Sequence, residues 1–231
     1  MIIKINNSTK DFESYRAQRV KSLFNAEDGS SFKLEANIDI DNLEWGLGLI
    51  VGTSGSGKTS IGKQIFGENR IYDLYKNWDF DKPIVDCIAP NGDFNEVTGA
   101  LASVGLGDVP SWLRPFHALS NGQQFRAGLA RLVTEAPDEV VVDEFTSVVD
   151  RQIAKIGALA FAKAWRKNKG KKAVLLSCHY DVAEWLQPDW IYNVNTGELK
   201  KKRKSDLDQK SSLTFGRSVE VTGNYLKSII I

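Results

Sequence analysis

Hydrophobic and polar residues alternate between residues 31 and 40. Phe32, Leu34, Ala36, Ile38 and Ile40 fall on one face, with charged and amide side chains between them. A period of two predicts a strand that has one face in water, as strands of antiparallel sheets often have.

Three later runs are apolar at every position: residues 47–51, 140–142 and 173–176. Continuous apolar runs of this length predict strands that are covered on both faces. Between the last two runs, residues 152–166 carry small and apolar side chains at helical spacing. Strands that alternate with helices predict an α/β fold with a mostly parallel sheet, preceded by an antiparallel β-subdomain at the N-terminus.

The segment between the first two buried strands has a helical pattern that Gly105, Gly107, Pro110 and Pro115 interrupt. We interpret it as a short helical subdomain over about residues 92–134. A run from Pro83 to Ile88 predicts one more strand before it. We also predict a late strand over residues 190–195, ended by an Asn-Thr-Gly turn.

Composition limits the classes of protein to consider. The chain has 231 residues, of which 42% are hydrophobic and 26% charged, and its formal net charge is +1. This is typical of a soluble globular protein and excludes an overall polyanion-binding surface. We expect one large α/β domain over residues 1–199, and a basic C-terminal tail or appended element over 200–231, which opens with a run of lysine and arginine.

Further features predict the compartment. Cys87 and Cys178 each lie in an apolar run, which indicates buried free thiols in a reducing environment. No apolar stretch reaches the roughly 20 residues that span a bilayer, and the first residues lack the apolar core of a signal peptide. We therefore expect a cytoplasmic protein with no membrane segment of its own.

A glycine-rich motif follows the first buried strand and precedes a helical stretch. It matches G-x-x-x-x-G-K-[ST] at every fixed position, with the residues Gly52, Thr53, Ser54, Gly55, Ser56, Gly57, Lys58 and Thr59. Glycines let successive backbone N–H groups turn towards phosphate oxygens, and the helix start adds its positive dipole end. The motif predicts that this loop binds ATP, with Lys58 at the β- and γ-phosphates and Thr59 at Mg²⁺.

The second buried strand ends in two carboxylates. Asp143 and Glu144 follow the run 140–142 directly. In an enzyme with a phosphate loop, the first acid would bind Mg²⁺ and the second would orient or deprotonate the attacking water.

Further short motifs carry a family resemblance. Leu119-Ser-Asn-Gly-Gln123, on a segment that ends in Ala130-Arg131, is similar to the signature of ATP-binding cassette (ABC) ATPases. Residues 147–150 resemble the dimer-contacting loop of that family, and residues 176–179 resemble its switch-histidine segment. Asn121 replaces a glycine, and we interpret the change as mild because asparagine tolerates left-handed backbone angles.

The resemblance implies a mechanism. Two copies of the chain would enclose two ATP molecules, each held by the phosphate loop of one copy and the signature of the other. Ser120, Gly122 and Gln123 would bind the partner's nucleotide, and His179 would contact the γ-phosphate within its own chain. The implied cofactors are ATP and Mg²⁺, and the implied partner is a second copy.

The chain departs from the family pattern in three places. The family's Mg²⁺-contacting and coupling loop carries a glutamine, but none follows residues 83–88, where Asn91 or Asp86 would have to replace it. The segment from Lys58 to Ser120 is shorter than in transporter subunits. The aromatic residue that stacks on adenine would be Phe24 or Phe32.

These departures favour a non-transport ATPase that acts on a protein or nucleic-acid partner. The alternative is the nucleotide-binding subunit of a multi-chain membrane transporter. A nucleotide-gated switch without turnover is a third hypothesis, against which Glu144 argues. The chain has no room for the long coiled coil of the DNA-repair relatives.

Overall fold

The computed structural model describes residues 1–8, 12–25 and 31–202, and Met1–Lys200 forms one compact unit. The strands are β1 (Ile2–Ser8), β2 (Ser31–Asn37), β3 (Leu47–Val51), β4 (Ile71–Tyr72), β5 (Glu139–Val142), β6 (Lys172–Ser177), β7 (Trp190–Asn193) and β8 (Glu198–Lys201). The α-helices are α1 (Tyr15–Phe24), α2 (Lys58–Phe66), α3 (Ile84–Cys87), α4 (Phe94–Ser103), α5 (Val109–Trp112), α6 (Asn121–Glu135), α7 (Arg151–Trp165) and α8 (Val182–Leu186). Two 3₁₀ turns, Glu68–Arg70 and Phe116–Ala118, complete these elements.

The larger sheet has six strands in the order β4-β5-β6-β3-β7-β8. β3 lies between β6 and β7 and pairs in parallel with both, and β5 pairs in parallel with β6 and β4. All five residues of β3 are buried, because both faces of the sheet are covered. The predicted α/β fold with a mostly parallel sheet is confirmed.

The smaller sheet is the predicted antiparallel pair, β1 with β2. The alternation also holds where side chains are described: Ala36 and Ile38 are buried, whereas Lys33 and Glu35 are exposed. Together with α2, this pair covers one face of the large sheet. The opposite face packs against the helices α4, α6 and α7.

The predicted strand over 83–88 is wrong. Residues 84–87 form the helix α3, and the buried side chains Ile84 and Ile88 lie four positions apart, one helical turn. The strand that occupies the sheet edge beside β5 is β4, only two residues long, which the sequence patterns did not reveal. The helix α1 was also not predicted, and none of its residues is buried.

The described residues end at residue 202. Most of the predicted basic tail, residues 203–231, therefore lies outside them. Among the described residues, no helix has the length and apolar character needed to cross a membrane.

The centre of the sheet depends on a glycine. A Cβ on Gly48 of β3 would lie 2.1 Å from a ring atom of Trp190, which is fully buried in the neighbouring strand. We predict that Gly48→Ala lowers the free energy of unfolding by about 1–3 kcal/mol, because the indole has no space to move into. Urea denaturation with an unchanged m-value measures the loss.

Gly99→Ala is the matched control. Gly99 lies in α4, and a Cβ there would meet nothing within 4 Å. This change should stabilise the protein by about 0.4–1 kcal/mol. Equal effects at the two positions would contradict the role given to Gly48.

Candidate active site

The phosphate loop, the two acids and His179 gather at one edge of the large sheet. Because β3 to β7 run in parallel, their carboxyl ends meet there. The glycine-rich loop follows β3, the two acids follow β5, and His179 follows β6 after one intervening residue. The carboxyl edge of an open α/β sheet is the usual ligand site.

The loop from Gly52 to Thr59 has the backbone that its glycines predict. Gly55 and Gly57 have φ angles of +76° and +96°, in the left-handed region that favours glycine. A Cβ on Gly52 would lie 2.7 Å from Ser56 Oγ, so a side chain there would fill the loop. The glycines therefore keep a concave backbone surface open.

Asn195, which follows β7, fixes the start of the loop. The Thr53 backbone N–H donates to Asn195 Oδ1 at 3.2 Å, and the Asn195 backbone N–H donates to Asn193 Oδ1 at 3.0 Å. The sequence analysis assigned Asn195 only to a turn. Its position at the end of the neighbouring parallel strand was the signal for this second role.

The first residues of α2 belong to the loop and supply hydrogen-bond donors. Its N-cap is Gly57, which supplies no capping side chain, so the first N–H groups of the helix have no side-chain acceptor at the cap. Lys58 Nζ donates to the carbonyls of Gly52 and Thr53, at 2.9 and 2.7 Å. Ser56 Oγ is buried without a hydrogen-bond partner among the described residues. These groups fit a bound polyphosphate.

The acidic turn after β5 has a strained backbone. Glu144 has a φ of +48° and Thr146 a φ of +69°. Asp143 Oδ1 accepts a hydrogen bond from the Glu144 N–H at 2.8 Å, and the Phe145 N–H donates to the Leu176 carbonyl of β6 at 2.8 Å. The turn leaves Glu144 exposed and Asp143 half-buried at the same edge. Such strain is typical of functional sites.

His179 is half-buried beside this turn. Its backbone N–H donates to Ser177 Oγ at 3.1 Å. Burial lowers the pKa of its imidazole and the nearby Arg151 lowers it further, with Asp181 opposing. This shift favours the neutral ring, which can both donate and accept a hydrogen bond.

Arg151 joins the acidic turn to the segment after His179, a role that the sequence analysis missed. Its guanidinium makes a two-point ion pair with Asp181 and donates to Thr146 Oγ1 at 3.4 Å. It also lies over the Trp185 ring at 4.9 Å. No local motif marks the contacts with Asp181 and Trp185, because both residues are distant in sequence from Arg151.

The cysteine prediction was correct in part. Both thiols are free, but Cys178 is exposed and Cys87 only partly buried. Cys178 lies just beyond the end of β6, where the chain leaves the sheet, and its Sγ is 3.6 Å from His179 Nδ1.

The signature residues begin α6. Ser120 is the N-cap and forms a reciprocal capping box with Gln123. Gly122 is buried, and a Cβ on it would lie 2.6 Å from Ile153 of α7. Asn121 is the first helical residue and does not have a positive φ, so the left-handed argument for its tolerance was wrong.

The hydrogen bonds among the described residues do not join Ser120 or Gln123 to the phosphate loop or to the acidic turn. Ser120 is exposed, and the polar atoms of its side chain are engaged only within the capping box. The start of α6 instead contacts Asp108 and lies against Ile153 of α7.

The residues present fit a magnesium ion bound together with a nucleotide. Thr59 is exposed at the start of α2, and Asp143 supplies a carboxylate at the same sheet edge. The described residues contain no group of three or more histidine, cysteine or acidic side chains that could hold a metal alone. Phosphate and water oxygens would have to complete the coordination.

Asp73 is a further acid that the sequence analysis did not consider. Tyr72 of β4 pairs with Val142 of β5, so the next residues, Asp73 and Asp143, leave the sheet side by side. Asp86 and Asn91 lie on α3 and in the turn after it, not at the end of a strand. Phe24 ends α1 with an exposed ring, and its stacking on adenine stays a prediction.

The chain is similar to ATP-binding proteins of several transport systems. No family model matches the chain. The energy-coupling factor transporter ATP-binding protein EcfA1 of Leuconostoc mesenteroides is 23% identical over 220 residues, which cover 79% of each chain. The cytochrome c biogenesis ATP-binding export protein CcmA of Hahella chejuensis is 37% identical over 97 residues, 41% of this chain and 43% of that protein.

Solved structures show the same fold. The dimeric structure of MJ0796, a bacterial ABC transporter cassette, has a TM-score of 0.57 at 17% identity and covers 88% of this chain and 99% of that one. A putative metal-chelate type ABC transporter gives 0.55 at 16% identity over 92% of this chain and 88% of that one. The motif order and fold of this chain are similar to those of ATP-binding cassette ATPases, and EcfA1 and CcmA are both named as ATP-binding proteins.

Lys58 provides the first test of the site. Lys58→Ala should weaken Mg-ATP binding by about 1.5–3 kcal/mol, roughly tenfold to a hundredfold, because charge-assisted contacts to phosphate are lost. Isothermal titration measures the change. Lys63→Ala is the control: Lys63 lies on the same helix but pairs with the exposed Glu68, and its loss should change affinity less than about twofold. Equal losses would contradict the assignment.

Proposed function

We propose that two copies of the chain bind two Mg-ATP molecules head to tail and hydrolyse them to drive a separate partner protein. The observation that carries the proposal is the division of the site. One chain offers a phosphate loop at its sheet edge and an exposed, serine-capped helix start elsewhere.

The phosphate loop would hold the nucleotide of its own chain. The N–H groups at the start of α2 and the Lys58 ammonium would contact phosphate oxygens, and Ser56 Oγ would gain the partner that it lacks. Thr59 and Asp143 would hold Mg²⁺, which neutralises phosphate charge when bound.

Glu144 and His179 would act on the γ-phosphate. The strained turn presents the Glu144 carboxylate at the sheet edge, where it would orient the attacking water and accept its proton. The neutral His179 would donate a hydrogen bond to the oxygen that gains charge. Ser120 and Gly122 of the second copy would contact the same phosphate at the start of α6.

The relatives favour a membrane protein as the partner. EcfA1 is named as an ATP-binding protein of an energy-coupling factor transporter, and a Chlamydia muridarum relative as one of a probable metal transport system, 24% identical over 177 residues. We therefore propose that the chain is the nucleotide-binding subunit of a transporter assembled from separate chains.

A second candidate is a non-transport ATPase that acts on a protein or a nucleic acid. Two observations favour it. Asp73 follows β4, the strand beside β5, and the glutamine that the family carries in its Mg²⁺-contacting loop is missing. The helical subdomain is also short, with α4 and α6 as its only described helices longer than five residues.

Glu144→Gln tests the dimer. The variant should bind Mg-ATP but turn it over at least about a hundredfold more slowly, since the amide cannot accept the proton of the water. With hydrolysis blocked, the ATP-bound dimer should accumulate and elute at twice the monomer mass in gel filtration.

Adding Ser120→Arg to that variant gives the matched control. The long cation should prevent dimer formation and leave ATP binding by the monomer within about twofold, because Ser120 would serve the other copy. A Glu144→Gln protein that stays monomeric with saturating Mg-ATP would refute the head-to-tail dimer.

The partner is identified by fractionation of native cells. A transporter subunit should sediment with membranes and co-purify with a protein of several membrane spans after mild detergent extraction. Carbonate washing should release it, since no described helix anchors it. Recovery only in the supernatant, together with ATP turnover stimulated by DNA, would support the second candidate instead.

A further inference from the structure

Arg151 lies where two segments of the candidate site meet. It is the first residue of α7, just after the acidic turn, and its guanidinium contacts the segment that follows β6. Nε and Nη2 donate to the two carboxylate oxygens of Asp181, Nε at 3.0 Å. Nη1 donates to Thr146 Oγ1 at 3.4 Å. One planar group therefore joins the turn that carries Glu144 to the segment that carries His179.

The Asp181 side chain binds this guanidinium rather than its own helix. Asp181 is the N-cap of α8, a position where aspartate usually accepts hydrogen bonds from the first backbone N–H groups. Its backbone is already helical there, with φ −63° and ψ −21°, and its side chain makes no cap hydrogen bond. Because Asp181 lies only two residues after His179, the ion pair fixes the chain close to the imidazole.

Trp185 of α8 supports the guanidinium on one face. Arg151 Cζ lies 4.9 Å from the centre of the Trp185 ring. A planar group that is held by two carboxylate oxygens, a hydroxyl and an aromatic ring has little freedom to rotate. A lysine ammonium could neither stack in this way nor form the two-point pair. The contact therefore fixes a direction as well as a distance.

The residue at the other end of the contact has a strained backbone. Thr146 is β-branched and 1% exposed, and its φ of +69° is an angle that such residues rarely adopt. Strain of this kind persists only where the surrounding structure holds it. Thr146 is two residues from Glu144, which also has a positive φ. Arg151 therefore helps to hold the backbone that presents the Glu144 carboxylate.

The ion pair affects the site more than the stability of the fold. The side chains of Arg151 and Asp181 are 37% and 44% exposed, and ion pairs with that exposure are weakened by water and salt. Their charges nevertheless act on His179. Burial lowers the pKa of its imidazole most, the Arg151 charge lowers it further, and Asp181 raises it.

We propose that Arg151 is a positioning residue for ATP hydrolysis. Through its contacts with Asp181 and Thr146, it holds the His179 imidazole and the Glu144 carboxylate at the separation that the γ-phosphate and the attacking water require. This inference rests on the proposed function, which gives His179 and Glu144 their roles.

Arg151→Met tests the proposal in the full-length chain, because methionine keeps an apolar stem and removes the donors. The turnover number for Mg-ATP should fall about tenfold to a hundredfold, since small misplacements of catalytic groups cost that much. Affinity for a non-hydrolysable ATP analogue should stay within about twofold, because the phosphate loop is unchanged. Urea denaturation shows that the variant is folded. An equal loss of affinity and turnover would contradict a positioning role.

Asp181→Asn is the second variant, and it keeps the size of the side chain while it removes the charge. It should also slow turnover. A protein with both changes should be no slower than the slower single variant, because the two changes remove one shared interaction. Additive losses would overturn the proposal.

Arg151→Lys separates the geometry of the contact from its charge. Lysine keeps the positive charge but cannot form the two-point pair, so turnover should stay well below that of the unmodified chain. Full activity in this variant would show that charge alone is needed and would overturn the positioning role.

Arg166→Met is the matched control. Arg166 follows the last residue of α7 and donates to the Leu186 and Gln187 carbonyls at the end of α8, so it joins the same two helices away from the acidic turn. Its loss should leave the turnover number within about twofold of the unmodified chain. A fall as large as in Arg151→Met would assign the effect to helix packing and overturn the proposal.

The outcomes separate this inference from the proposed function. Unchanged turnover in folded Arg151→Met or Asp181→Asn protein, together with lost turnover in Glu144→Gln, overturns the positioning role and leaves the proposed function intact. If the unmodified chain does not hydrolyse ATP, or if Glu144→Gln still does so at the same rate, the proposed function is refuted and this inference with it.

Discussion

The parallel pairing of β3 with β6 and β7 is the constraint on which the site depends. Its register brings the carboxyl ends of successive strands to one level, so that short segments after each strand face a shared volume. Hydrogen bonds between neighbouring strand ends then set their spacing, as Phe145 N–H to Leu176 O and Thr53 N–H to Asn195 Oδ1 do. Without this sheet, the phosphate loop would keep its glycines, but the segments after the neighbouring strands would not be held beside it.

Local sequence patterns predicted the parts of the fold whose physics is local. Continuous apolar runs predicted β3, β5 and β6, because strands covered on both faces need apolar side chains at each position. The glycine positions predicted the loop backbone, since left-handed angles restrict residue type. Ser120 and Gln123 also have the three-residue spacing of a capping box, which the structure shows although it was not predicted above.

The parts that were missed depend on tertiary contacts. β4 has two residues, too few for a period to appear, and only its pairing with β5 makes it a strand. The run from Pro83 to Ile88 has the apolar content of a strand, yet the core on one side of it selects a helical turn. Arg151 pairs with Asp181, which is far away in the chain, so no local spacing could have revealed the contact.

Lys58 forms hydrogen bonds within its own loop. Its ammonium lies against the carbonyls of Gly52 and Thr53, whose dipoles partly balance the charge. An anion that binds here has to replace those carbonyl dipoles as the partner of the ammonium. An anion with few negative oxygens would gain little binding free energy from the exchange. By this reasoning a nucleoside monophosphate would compete less well than a triphosphate. The same lysine thus holds the end of its loop against the start and would favour ligands that carry several negative charges.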